Sequence, residues 1–424
     1  MLRKIRICAF LLVLLAGTTF LPQVADALSA TSFPDHITLT WVQDSRTTQT
    51  VSWRTNDETV GGQVRYFEAG RLSLSKPVYL FAPADAVRLV TPDGALQVHS
   101  ATLTGLKPGA RYAYQVGDDN SWSETYTFTT ASVRTAEFDF LVFGDSQSSD
   151  YNVWRRTAQA AFQALPTAAF FTNVGDLVDV GQDYGEWEGW FAGASGVIEK
   201  IPAMPVAGNH ESYTPERRFS LPVFFTAQFR LPENGPEELK GQVYSFDYGD
   251  VHFVVLDSQE GEEDLFVPDM LGKQKRWLET DLAATAKTWK IVFIHRPLYG
   301  NKPNGVNENI RRAFAGVFDR NGVDVVFTAH DHVYARTWPL DALGNPAPPG
   351  QGTVFVATGR SGTKTYTNVE SKEWNEFFRN VTDEPIYLTV KVRKGLLEVQ
   401  AITQSGALVD AWSIEKSKTR KGNQ

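Results

Sequence analysis

The sequence predicts an N-terminal all-β sandwich followed by an α/β domain of two sheets flanked by helices. Three observations lead there. Residues 33 to 131 alternate polar and apolar over short runs between turn signals. From Phe138 onward the runs become unbroken and apolar, with helical periodicity between them. Residue types that bind metals follow five of those runs at once.

In the first domain, Ile37 to Trp41 and Thr50 to Trp53 alternate as half-buried strands do. Turns are marked at Gly61-Gly62, Pro92-Asp93-Gly94 and Lys107-Pro108-Gly109. Leu103-Thr-Gly-Leu106-Lys-Pro108-Gly-Ala-Arg-Tyr112-Ala-Tyr114 resembles the late-strand region of fibronectin type III domains. That resemblance implies that the Tyr112 hydroxyl bonds back to the preceding turn. In the second domain, Phe138 to Phe143, Ala168 to Thr172, Val206-Ala207, Trp289 to Ile294 and Val323 to Thr328 read as buried strands. Tyr151 to Leu165 and Asn309 to Phe318 read as helices. Thr353 to Ala357, Ile386 to Val392 and Leu397 to Ile402 are expected to form a second, closing sheet. Long loops are expected at Gly181 to Lys200, Tyr213 to Gly241, Ser258 to Leu271 and Arg360 to Asn380.

The first 27 residues carry Arg3, Lys4 and Arg6, then a short apolar stretch, then Ala25-Asp26-Ala27. This is the grammar of a secretory signal peptide. The domains are therefore read as signal peptide 1–27, sandwich 28–132, α/β domain 136–415 and basic tail 416–424, in a secreted, extracytoplasmic protein with no membrane span after cleavage. Cys8, the only cysteine, lies in the signal, which excludes disulfides, cysteine nucleophiles and thiolate metal sites from the mature chain. Cleavage removes three positive charges and one negative, taking the net charge from -8 to -10. An acidic chain of this kind is not expected to track nucleic acid.

The five strand ends lead into Gly144-Asp145-Ser146-Gln147, Gly175-Asp176-Leu177-Val178-Asp179, Gly208-Asn209-His210-Glu211, His295, and His330-Asp331-His332. Four of the seven histidines fall here, while His36, His99 and His252 sit in strand-like runs and read as structural. In open α/β sheets such turns converge on one crevice. Carboxylates, imidazoles and an amide oxygen suit iron, zinc or manganese.

This order of blocks resembles the calcineurin-like metallophosphoesterase superfamily, and with the sandwich in front it resembles the purple acid phosphatase branch. The resemblance implies two divalent or trivalent metal ions. Asp145 would bind the first, Asp176 would bridge, Asn209, His295 and His330 would bind the second, and His332 would return to the first. It implies hydrolysis of a phosphate-ester substrate, monoesters favoured, by a hydroxide that the metals generate. His210 would protonate the leaving group or stabilise the phosphate. Two positions depart from the pattern. Asp179 stands where purple enzymes have a metal-binding tyrosine, which predicts no tyrosinate absorption band. Gln147 stands where many relatives have histidine, so the first metal would have one protein ligand fewer or would take the Gln147 side-chain oxygen, the favoured reading. Arg296, Tyr299 or Asn301 is expected to face the substrate, and Arg336 to support the His332 loop. Alternatives are a phosphodiesterase using the same centre and a secreted binding protein with a degenerate metal site. A metallopeptidase is excluded by the absence of a His-Glu-x-x-His helix.

Overall fold

A computed structural model describes residues 29–70, 77–348 and 350–416. The expected signal peptide and all of the tail beyond Lys416 lie outside the described residues. No helix among the described residues is long and apolar enough to cross a membrane.

Alternation in the first domain produces two four-stranded antiparallel sheets packed face to face. One runs Asp35–Thr40, Gln49–Asn56, Gly94–Leu103, Asp85–Thr91; the other runs Leu80–Pro83, Gln63–Glu68, Arg111–Gly117, Tyr126–Thr129. Every second side chain enters the shared core, including Leu39, Val51, Trp53, Val64, Tyr114 and Val116. The Tyr112 hydroxyl accepts a hydrogen bond from the Lys107 N–H at 2.9 Å, the link expected from the sequence.

The α/β domain has two sheets whose apolar faces meet. A five-stranded sheet is ordered Phe171–Asn173, Phe138–Phe143, Ile386–Arg393, Leu396–Thr403, Leu408–Glu415. A seven-stranded sheet is ordered Tyr244–Tyr248, Val251–Leu256, Trp289–Ile294, Val325–Thr328, Val354–Thr358, Tyr334–Thr337, Asn375–Arg379. Phe140 packs edge-on against Phe253 with centroids 5.4 Å apart, and Phe253, Phe293 and Phe327 stack along the second sheet. Helices Met270–Ala284 and Glu308–Asn321 cover the outer face of the larger sheet with Leu278, Leu282, Ile310, Phe314 and Phe318. Helices Tyr151–Ala164 and Tyr184–Ala194 cover the smaller sheet.

Three sequence expectations change. The five expected strands do not share one sheet: those ending at Phe143 and Asn173 belong to the smaller, those ending at Ile294 and Thr328 to the larger, and Val206 makes a single parallel bridge to Val174. The later runs do not form a separate sheet either. Val354–Thr358 pairs parallel with Val325–Thr328, whereas Ile386–Arg393 pairs antiparallel with Phe138–Phe143. Periodicity marks a strand as buried on both faces but not which partner it takes. The expected loop from Gly181 contains the Tyr184–Ala194 helix, whose Trp187, Trp190 and Phe191 are core residues.

The sandwich is docked on this domain through backbone and charge. Leu39 donates to Ile198 O at 3.2 Å and accepts from Ala203 N at 2.7 Å. Arg54, 2% exposed, bonds Asp35 of its own domain and Glu188 of the helix. Trp41 inserts among Phe170, Phe246 and Tyr248, where burial of a side chain this size contributes roughly 2–3 kcal/mol.

The three remaining histidines are structural. His36 stacks on Phe191, and His99 bonds the Thr55 hydroxyl at 2.8 Å. His252 lies between Asp247 and Asp281, each 2.8 Å away. Burial opposes its charge, but the two carboxylates prevail and push its pKa up to about 9 from an ordinary 6.5. Its charged form is therefore bound more tightly in the fold than in the unfolded chain. The stability it contributes is fully present below pH 6.5 and is lost as pH rises through about 9. His252→Gln should lower stability by roughly 1–3 kcal/mol at pH 6 and by little at pH 10. Denaturant unfolding at both pH values checks this, and an equal loss at both would contradict it.

Candidate metal centre

Two strands from each sheet end on one edge of the domain, and the loops that follow carry the candidate ligands there. Close approach is what the glycines in those loops permit. A Cβ on Gly175 would lie 2.4 Å from the His295 ring, and one on Gly208 would lie 2.3 Å from the Asp176 backbone nitrogen and carboxylate. Asp145, Asp176, His330 and His332 all have left-handed backbones, with φ of 44°, 53°, 67° and 57°. They are four of the seven non-glycine residues in that region among those described. Each such residue stores on the order of 1 kcal/mol of strain that the surrounding packing must hold.

Glu211 holds the loops together. Its buried carboxylate accepts from Gly208 N at 2.6 Å and Asp176 N at 2.9 Å through one oxygen, and from Leu177 N at 2.8 Å through the other. The loop after Val354–Thr358 adds a further brace: Ser361 N donates to Gly144 O at 2.7 Å and Gly362 N to Asp145 O at 3.0 Å.

The side chains converge as two sets that share one residue. Asp176, His295 and His330 place ligand atoms within 4.8 Å of one another, and so do Asp145, Asp176 and His332. Asn209 joins the first set, its Oδ1 lying 3.2 Å from His295 Nε2 and 3.0 Å from His330 Nδ1. His295 turns its Nδ1 to Val174 O at 2.8 Å, and His332 turns its Nδ1 to Lys364 O at 2.7 Å. Each thus donates its Nδ1–H outward and leaves Nε2 facing inward. Inside, Nε2 of His295 lies 3.2 Å from Asp176 Oδ2, and Nε2 of His332 lies 3.4 Å from Asp145 Oδ1. His332 Nε2 is buried with no hydrogen-bond partner. Ligand atoms crowded this closely need positive charge among them, a proton at His295 or a metal ion, and the donor set fits metal ions.

Gln147 occupies the same hollow. Its Nε2 donates to Asp176 Oδ2 at 3.2 Å, and its Oε1 is buried and unpartnered. The amide nitrogen, not the oxygen expected as a ligand, faces the shared carboxylate. Asp179 stands outside both sets. Its backbone carbonyl lies 2.6 Å from His210 Nδ1 and its carboxylate 3.3 Å from the same atom, so it orients His210. His210 Nε2 lies 3.8 Å from Asp176 Oδ2, at the border of the centre.

Three residues expected to face substrate are otherwise engaged. Tyr299 is 6% exposed, with its ring between Phe355 and Trp374 in the core of the larger sheet. Asn301 donates its N–H to Asp331 and its amide to Glu370 O and Asn375 Oδ1. Arg296 does line a cleft beside His330, but its guanidinium is held by both oxygens of Glu262, at 2.9 and 2.6 Å. These assignments rested on chain proximity to His295, and the chain turns inward after it. Arg336 pairs with Glu376 and Asp410 and supports its loop as expected.

The residues that do border the centre were missed. Lys364 Nζ lies 3.0 Å from His210 Nε2 and 3.2 Å from Asp179 Oδ1. The Tyr366 ring packs on His332 with centroids 4.5 Å apart, and Lys302 Nζ lies 4.3 Å from the Tyr366 ring. The signal for Lys364 was present: it follows a buried strand and a glycine-bearing turn, as Asp145 and Asp176 do.

Comparison with known proteins agrees with this geometry. Residues 34–130 match the purple acid phosphatase N-terminal domain, and residues 138–334 match the calcineurin-like phosphoesterase domain. The chain thus carries a purple acid phosphatase N-terminal domain followed by a calcineurin-like phosphoesterase domain. It is 28% identical over 299 residues to acid phosphatase type 7 of Mus musculus, across 63% of this chain and 64% of that protein. It is 24% identical over 433 residues to probable inactive purple acid phosphatase 27 of Arabidopsis thaliana, across 90% of this chain and 67% of that protein. The structure of purple acid phosphatase PPD1 from yellow lupin seeds superposes with a TM-score of 0.75 at 19% identity, over 91% of this chain and 75% of that one. A phosphoesterase domain of this family thus accounts for the two-sheet architecture and for loops rich in metal ligands.

The charge balance of the centre gives a testable pH dependence. His330 and His295 are 3.3 Å apart and cannot both be charged. Burial and its charged neighbours hold His330 well below the usual imidazole range. On His295 burial opposes the proton, but Asp176 prevails and pushes the pKa up to about 9. A metal ion must displace that proton, so its affinity should fall about tenfold per pH unit below pH 9. Zinc titration calorimetry in buffers of different ionisation heat should show about one proton released per chain at pH 7. An affinity flat between pH 6 and 9 would contradict this.

Proposed function

We propose that this chain is a secreted dinuclear-metal phosphoesterase that hydrolyses phosphate esters, with phosphomonoesters preferred. The observation that carries the reading is that Asp176 belongs to both donor sets, which is the arrangement of a bridging carboxylate. Asp145 and His332 would complete the first metal's ligands, and Asn209, His295 and His330 the second's. Iron, zinc and manganese suit these donors. When bound, such a pair supplies a hydroxide nucleophile from water and neutralises phosphoryl charge. Secretion rests on the signal-like first 27 residues.

The chain's own residues supply the rest. The bond from His210 Nδ1–H to the Asp179 carbonyl fixes the imidazole tautomer and leaves Nε2 at the border of the centre. When the ring is protonated, Nε2–H can pass its proton to the departing ester oxygen, which returns the ring to neutral, and the Asp179 carboxylate faces the charge the ring carries before that transfer. Glu211 keeps the Asp176 and Asn209 loops in register, so the ligands need little rearrangement on binding.

The mature protein should bind about two metal ions per chain and cleave a chromogenic phosphomonoester faster than the matching diester. Asp176→Ala should reduce both metal content and turnover by more than about 100-fold, beyond what loss of a mere supporting group produces. Metal analysis beside the assay checks this. Wild-type metal content or turnover in Asp176→Ala would contradict it, and bound metal with no turnover on either ester would favour a binding protein.

A further inference from the structure

Lys364 is the cation nearest the proposed proton-transfer group. Its Nζ reaches His210 Nε2 at 3.0 Å and Asp179 Oδ1 at 3.2 Å, and it makes no other hydrogen bond among the described residues. An ammonium has three N–H groups, so one remains undirected. The side chain keeps 32% of its surface exposed, so a ligand in the cleft can reach it. Its position does not depend on its side chain: the backbone carbonyl of Lys364 accepts the His332 Nδ1–H at 2.7 Å, and the loop before it is zipped to Gly144 and Asp145.

An ion pair with Asp179 alone would make Lys364 an ordinary partly exposed salt bridge of small value. The contact with His210 argues for more. Because His210 Nδ1 donates to the Asp179 carbonyl, Nε2 is the acceptor in this pair, and Lys364 fills the one direction in which that nitrogen can meet an ester oxygen. An incoming phosphate must take that direction, and it brings oxygens that compete for the same ammonium.

We propose that Lys364 is a substrate-binding residue that selects phosphomonoesters over diesters by holding a terminal, non-ester phosphoryl oxygen beside His210. This rests on the hydrolase reading above. A monoester dianion carries one more negative charge and one more unsubstituted oxygen than a diester. An ammonium about 3 Å from the leaving-group side therefore favours the monoester through a charge-assisted hydrogen bond.

Lys364→Met and Lys364→Arg, each checked for wild-type melting temperature and metal content, test the assignment. Lys364→Met should lower kcat/KM for the monoester about 10- to 100-fold, mainly through KM, and reduce the monoester-to-diester ratio about tenfold, with partial recovery in Lys364→Arg. Calorimetry with inorganic phosphate on the metal-loaded protein should show a comparable loss of affinity. An unchanged ester ratio and unchanged phosphate affinity would overturn the role of Lys364 and leave the hydrolase reading intact. A wild-type protein inactive on both esters would overturn the hydrolase reading, while the phosphate titration would still decide whether Lys364 binds the anion.

Discussion

Around Asp176, electron-rich atoms are held closer to one another than they would stand in water. Three imidazole nitrogens, an amide oxygen and two carboxylates meet in a hollow that burial makes almost dry. The fold keeps them there with outward hydrogen bonds from Nδ1 of His295 and His332 and with left-handed backbone at four ligand positions. Such a cluster is unfavourable for the chain alone and becomes favourable only with positive charge inside it. The glycines before Asp176 and Asn209, the Glu211 brace and the brace from Ser361 and Gly362 all follow from the need to hold this cluster together.

Much of this was legible in the sequence because each ligand loop follows a buried strand. Phe138–Phe143 and Trp289–Ile294 have the bounds that their apolar runs indicate, and Tyr112 makes its predicted bond. The expected ligands Asp145, Asp176, Asn209, His295, His330 and His332 do meet in space. Sheet partnership was not legible, because a strand covered on both faces has the same apolar pattern beside any neighbour. That error had a consequence. Assigning Thr353 to Ala357 to a separate sheet hid the fact that its following loop reaches the same edge, and with it Lys364 and Tyr366. Tyr299 turns into the core and Arg296, though at the cleft, is paired with Glu262 for a related reason: neighbourhood along the chain says nothing of where a side chain turns.

The two departures from the family pattern have different weights. Asp179, at the position where the resemblance implies a metal-binding tyrosine, instead orients His210 and pairs with Lys364. Gln147 brings a neutral amide whose nitrogen donates to Asp176 and whose oxygen is buried and unpartnered. No described residue of the sandwich borders this centre. Its influence passes through the Tyr184–Ala194 helix, whose Glu188 holds Arg54 and whose Trp190 donates to Ser146 beside Asp145.

The shared carboxylate is the point on which everything else turns. Anomalous diffraction from crystals of the zinc- or manganese-loaded protein tests it directly. Two peaks about 3.5–4 Å apart, with Asp176 bridging them, are the expected result. A single peak, or two peaks with Asp176 bound to only one, would contradict the account.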